Sequence, residues 1–150
     1  DYVGTWLESN HKVDLKKSHV IYNGVDTEFF YYKDNPADRG ESYLYTTFNT
    51  DENKRFPEAA YDFHLRHREA KNKNQKLPTL KLVGNFPKEI VPYKFDFFNG
   101  EQFSYHPPVE DRKKMGDIFR SCRYLYFPAF ADASPNTVSE AIACGCEVLL

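Results

Sequence analysis

Alternation most restricts what this chain can fold into. Short apolar runs rich in β-branched and aromatic residues repeatedly give way to segments with a helical period. "HVIY" (19–22) reads as a short strand ended by the turn pair Asn23-Gly24, and "SYLYTTF" (42–48) as a buried strand. Pro57 then sits where a first helical turn tolerates it, and Phe56, Ala60, Phe63, His67 and Ala70 recur at helical spacing. "LKLVGNF" (80–86) and "QFSYH" (102–106) read as strands, and "VEDRKKMGDIFRSC" (109–122) as a helix through Met115, Ile118 and Phe119. "YLYFPAF" (124–130), "NTVSEAIACG" (136–145) and "EVLL" (147–150) continue the series as strand, helix and strand.

Strands separated by crossover helices imply an α/β fold, a Rossmann-like parallel sheet with helices on both faces. Ligands of such sheets sit beyond the carboxyl ends of the strands. The loops after Phe48, Phe86, His106 and Phe130 therefore form the expected functional edge.

Composition narrows the function by exclusion. A net charge of -2 gives no bulk drive toward nucleic acid or anionic membrane. The longest apolar runs fall well short of a bilayer span, and no signal-peptide pattern opens the chain. The start at "DYVGTW", without an initiator Met, suggests a piece of a longer protein. The three cysteines, Cys122, Cys144 and Cys146, lack disulfide-scaffold or zinc-finger spacing, so buried reduced thiols are expected. At an aromatic content of 17%, with most rings inside apolar runs, core packing is the first expectation for Tyr and Phe. His64 and His67 share a helix, but no nearby acid completes a metal site; no Asp-x-Asp motif, P-loop or Gly-x-Ser-x-Gly elbow occurs.

The stretch "ADASPNTVSEAIACGCEVLL" (131–150) supports two readings. Asn136 or Thr137 can cap the helix, and Thr137-Val-Ser-Glu140 fits a capping box. Equally, a helix start after a strand presents unpaired amides and partial positive charge to a phosphate, while a carboxylate one turn in can accept from a ribose diol. Spacing alone leaves both open.

"HVIYNGVDTEFF" (19–30), followed more than a hundred residues later by "DASPNTVSEAIACGCEVLL" (132–150), resembles the nucleotide-sugar half of family-4 type retaining glycosyltransferases of the GT-B fold. Those enzymes carry an Asn-Gly-Val-Asp hinge followed by Phe, and later an acid, seven residues, Glu, Ala-x-Ala-x-Gly and a strand. Here Asp132 and Glu140 keep the spacing, and Ala141, Ala143 and Gly145 keep the tail. The resemblance covers essentially the whole chain. It implies residues 1–18 as a hinge-proximal segment and 19–150 as a partial nucleotide-sugar-binding domain, in which Leu150 falls before the domain's end.

The resemblance also implies roles. Glu140 would bind the ribose hydroxyls of a nucleotide-diphosphate sugar, and Asp132 the hydroxyls of the transferred sugar. Backbone amides around Asn136, Thr137 and Val138 would cradle the distal phosphate. Lys54, followed by Arg55, stands in the place of a family Lys that would stabilise charge on the leaving diphosphate. His106 would neighbour the base, with a plain turn residue as the other reading. Three departures stand out: Asp132 replaces a family Glu and is one methylene shorter, Asn49 replaces an Arg, and Glu147 stands where Pro is frequent. Loss of that Arg removes a diphosphate contact unless Arg55 substitutes.

The implied activity is metal-independent, cofactor-free retaining transfer to a glycan or lipid hydroxyl. The acceptor would be held by an amino-terminal domain outside this chain, leaving this part alone inactive. Expected partners are the nucleotide-sugar donor and that acceptor, and not nucleic acid. The expected location is the cytoplasm, with the cytoplasmic membrane face open to the full-length enzyme. A GT-B epimerase or phosphorylase fits the spacing less well. The rival from another class is a non-catalytic sugar-nucleotide or glycan-binding module of the same fold.

Overall fold

The structure, a computed structural model, describes residues 9–11, 14, 16, 23–47, 54–86, 101–129 and 135–150. Its elements in chain order are a 3-10 turn (Pro36–Arg39), β1 (Ser42–Thr47), α1 (Phe56–Asn72), β2 (Thr79–Gly84), β3 (Phe103–His106), α2 (Arg112–Arg120), β4 (Tyr124–Tyr126), α3 (Asn136–Ala143) and β5 (Glu147–Leu149). The strand expected over 19–22 lies outside the described residues, as does the boundary expected at residue 18.

The five strands form one sheet in the order β3-β2-β1-β4-β5, and every neighbouring pair is parallel. Parallel strands cannot be joined by tight hairpins, and here α1 covers one face of the sheet while α2 and α3 cover the other. β1 is the central strand, paired with β2 from Ser42↔Thr79 to Thr47↔Gly84 and with β4 from Tyr43↔Tyr124 to Tyr45↔Tyr126. Strand order reverses there, which makes the crevice beyond β1 and β4 the topological switch point.

Alternation along β1 divides the core in two. Tyr43 and Tyr45, with Leu80, Leu82 and Tyr126, meet Phe56, Ala59, Ala60 and Phe63 of α1 on one face. Leu44, with Val83 and Leu125, meets Phe30, Phe119 of α2, Ala141 of α3 and the three cysteines on the other. Among the described residues most aromatics pack in these two clusters, as expected: Tyr43 stacks on Tyr124 and Tyr126 at 4.8 and 5.3 Å, and Phe56 meets Tyr45 and Phe86 edge-on.

Pro57 lies in the first turn of α1, and the spaced residues Phe56, Ala60, Phe63 and His67 are all buried. α2 begins later than its apolar period suggested, because Asp111 caps it by accepting from the Lys114 amide at 3.2 Å. Arg39 braces the far ends of the helices: Nη1 donates to the Cys122 carbonyl and Nη2 to the Cys144 carbonyl, both at 2.9 Å. A guanidinium there serves carbonyls that a helix C-terminus leaves unpaired. Among the described residues no helix is long and apolar enough to cross a membrane.

The cysteines are free and buried, and burial raises all three thiols, Cys146 up to about 12. Thiolate is the reactive form, so the folded chain should react negligibly with Ellman's reagent near neutral pH and release three equivalents in denaturant. Fast labelling of any native thiol would contradict this packing.

Candidate functional site at the carboxyl edge of the sheet

The carboxyl ends of the parallel strands gather on one side, and of the residues singled out by sequence Lys54, His106 and Thr137 lie along it. Lys54 precedes α1, its carbonyl accepting from the Tyr45 hydroxyl at 2.8 Å. With Tyr45, Thr46, Tyr126, Phe127, Pro128 and Ala129 it lines a small depression between the ends of β1 and β4, at the switch point. Beside it, a cleft of about 140 Å³ is walled by Thr46, Thr47, Val83, Gly84, Val109 and Thr137, among others. His106 ends β3 opposite Val83, just before the Pro107-Pro108 pair that reaches the cleft wall. Asn49 and Asp132 lie outside the described residues.

Gly84 closes the β1–β2 ladder at this cleft. Its φ of +136° is outside ordinary L-residue space, and a Cβ there would stand 1.7 Å from the Thr47 carbonyl oxygen. Gly84→Ala should therefore lower stability by about 3 kcal/mol or more in a urea titration, combining backbone strain with overlap against the central strand. A loss under about 1 kcal/mol would show that β1 and β2 separate easily here.

α3 presents its amino terminus to the cleft without a side-chain cap. Pro135 is the N-cap and Asn136 is already helical. The capping box, one of the two readings the sequence left open, does not form. A capping side chain must come from a non-helical N-cap residue, whereas Asn136 and Thr137 are the first and second helical residues and Glu140 the fifth. Two of these side chains have other partners: Asn136 Oδ1 accepts from Asn23 Nδ2 at 2.8 Å, and Glu140 Oε1 lies 3.7 Å from Arg112 Nη2. The Val138 amide donates to the Pro135 carbonyl at 3.1 Å. Among the described residues, the amides of Asn136 and Thr137 therefore remain as the donors of this turn without a backbone acceptor.

Glu140 is half-buried between α3 and α2. Burial raises its carboxyl above the ordinary carboxylate range, and Arg112 opposes that rise. Arg55 adopts a left-handed backbone (φ 51°) at the start of α1, and its Nε pairs with Glu58 Oε1 at 2.9 Å. Among the described residues no group of three or more His, Cys, Asp or Glu is placed to hold a metal.

The segment carrying Asn23-Gly24-Val25-Asp26 packs directly on this region. Asp26 Oδ2 lies 3.3 Å from Arg112 Nη1, so Arg112 joins Asp26 to Glu140, 114 residues apart in sequence. The sequence reading missed Arg112, because a cation opening a polar helix carries no local signal. It also missed Gly116, although a lone glycine inside a helical period marks a close approach. A Cβ on Gly116 would stand 2.3 Å from the Phe29 carbonyl oxygen, which accepts from Arg120 Nη1 at 2.8 Å. Gly116→Ala gains about 1 kcal/mol in helix propensity but must displace that backbone. Chemical denaturation should therefore show a net loss of about 1–2 kcal/mol; a net gain would mean the 26–30 turn is loosely docked.

Larger depressions also occur, one of them adjoining this edge at Tyr126 and Pro128. This one, of about 420 Å³, runs between α1 and β5, lined by Glu58, Asp62, Arg66, Tyr126 and Leu149 among others. Its polar groups already serve one another: Asp62 Oδ2 accepts from Arg66 Nε at 2.6 Å and from the Tyr126 hydroxyl at 2.5 Å. We therefore place the site at the carboxyl edge, where strand ends, helix start and backbone donors converge.

No protein-family model matches the chain, and no curated protein does. Among solved structures it is similar to the C-terminal domain of a glycosyl transferase group 1 family protein from Francisella tularensis. The TM-score is 0.56 and the identity 15%, over 83% of this chain and 69% of that one. The likeness defines the class by architecture: a Rossmann-like α/β domain of the type found in the C-terminal part of that protein.

Proposed function

We propose that the chain is the donor-binding part of a retaining nucleotide-sugar glycosyltransferase. The reading is supported by the uncapped start of α3 at the cleft wall, with Glu140 one turn into that helix and Lys54 in the neighbouring depression at the end of β4. The shared fold of the glycosyl transferase domain supports the same reading.

The distal phosphate is taken by the Asn136 and Thr137 amides, reinforced by the positive end of α3. The Val138 amide, bonded to Pro135, plays no part in that cradle. Glu140 accepts from the ribose diol. Lys54 neutralises charge building on the leaving diphosphate, and Arg55 assists only by leaving Glu58. His106 borders the base, Asp132 takes the hydroxyls of the transferred sugar, and Asn49 stands in the sequence place of a diphosphate-binding Arg. The acceptor hydroxyl of a glycan or lipid, held by another domain, attacks the sugar from the face the diphosphate leaves. The chemistry requires no metal or resident cofactor. The enzyme works in the cytoplasm, at the membrane face where the acceptor is a lipid.

Calorimetric titration with UDP-, GDP- and ADP-sugars tests this reading. One donor class should bind the wild-type chain, and Glu140→Ala should weaken it by about tenfold or more, as loss of a hydrogen bond to a charged group does. Equal binding by the variant would remove Glu140 from the ribose site. The shorter Asp132 and the Asn49 replacement favour one second reading, a non-catalytic binding module. Donor binding with no turnover by the full-length protein would select it.

A further inference from the structure

Arg112, the first residue of α2, has no role in the reading above, yet it touches the residue on which that reading depends. Its guanidinium divides between two carboxylates, Nη1 at 3.3 Å from Asp26 Oδ2 and Nη2 at 3.7 Å from Glu140 Oε1. It lies over the rings of Phe29 and Phe30, at 5.8 and 5.4 Å from their centroids. Asp26 is fixed in turn. Its carbonyl accepts from the Phe29 and Phe30 amides at 3.2 and 3.0 Å, and its Oδ1 from the Glu28 amide at 3.1 Å. The chain of contacts therefore runs from a backbone-anchored acid, through a planar cation, to Glu140.

Stability does not explain this arrangement. The Arg112 side chain is 52% exposed, and ion pairs at such positions contribute little to folding. What the contact changes is the freedom of Glu140. A carboxylate already held by one oxygen loses less rotamer freedom when a ligand engages the other.

We propose that Arg112 is a positioning residue, anchored by Asp26, that holds Glu140 Oε1 and leaves Oε2 to accept from the ribose hydroxyls of a nucleoside diphosphate. The proposal rests on the ribose role of Glu140 and adds the element that orients it. The charged groups facing Glu140 are Arg112 from α2 and, through it, Asp26 from the 26–30 turn; the neighbouring Asn23–Asn136 contact is neutral. An ammonium supplies the charge of Arg112 but not its two-pronged fork, so lysine should rescue one property and not the other.

The test uses the full chain with Arg112→Gln, Arg112→Lys and Glu140→Gln, read in two ways. In a carbon-13 carboxyl NMR titration, Arg112→Gln should raise the Glu140 midpoint, because the opposing cation is gone, and Arg112→Lys should restore it. In calorimetry with UDP, GDP and ADP and their 2′-deoxy counterparts, wild type should prefer the ribose form of the nucleotide it binds. Arg112→Gln should cut that preference about fivefold, Arg112→Lys should recover only part of it, and the thermal midpoint should hardly move. A Glu140 midpoint or a ribose preference unmoved by Arg112→Gln overturns the positioning role. If Glu140→Gln abolishes the preference while Arg112→Gln leaves it, positioning alone falls. If wild type binds no nucleotide, or Glu140→Gln leaves the preference intact, the donor reading falls and takes this proposal with it.

Discussion

The two-faced burial of β1 is the constraint on which the rest of the molecule depends. A central parallel strand has no solvent face, so its side chains must find apolar partners above and below. Tyr43 and Tyr45 commit one face to α1, and Leu44 commits the other to α2, α3 and the Phe30 turn. Once those layers are in place, the helices that follow β1 and β4 lie on opposite faces of the sheet, and a depression lies between the two strand ends. Lys54 reaches that depression, and the start of α3 the neighbouring cleft, because the chain must cross the sheet's edge there.

The second cluster does more than fill space. Phe30 packs edge-on against Phe119 at 6.0 Å, Gly116 lets the Phe29 backbone approach α2, and Arg39 ties down the ends of both helices. Together these contacts press the segment beginning at Asn23 onto α2 and α3. The Asn23–Asn136 and Asp26–Arg112–Glu140 contacts follow from that docking. Separate motifs thereby become one polar surface at the mouth of the sheet.

The fold was readable because its determinants are local and periodic. β1, α1, β2, α2, β4, α3 and β5 all lie within or next to the segments their patterns indicated, since strand alternation and helical period follow directly from burial. Even the weak run at 102–106 became β3, which covers the edge of β2. The capping-box alternative fails for a definable reason. Thr137-Val-Ser-Glu140 has the right residues, but Pro135 starts the helix early, and Asn23 and Arg112 draw the side chains toward other elements. Capping is a competition among nearby partners, and a local pattern contains only the local competitors.

The sequence by itself determined the alternating elements, the parallel class of sheet, the burial of the cysteines and the edge at which Lys54, His106 and the start of α3 would gather. Only the tertiary structure decided which amides at that helix start lack a backbone acceptor, that Glu140 meets Arg112 instead of its own N-terminus, and that Asp26 stands behind that cation. The division has a physical cause. Periodicity records how each segment meets the core, whereas side-chain pairing across 86 or 113 residues exists only after the layers have packed.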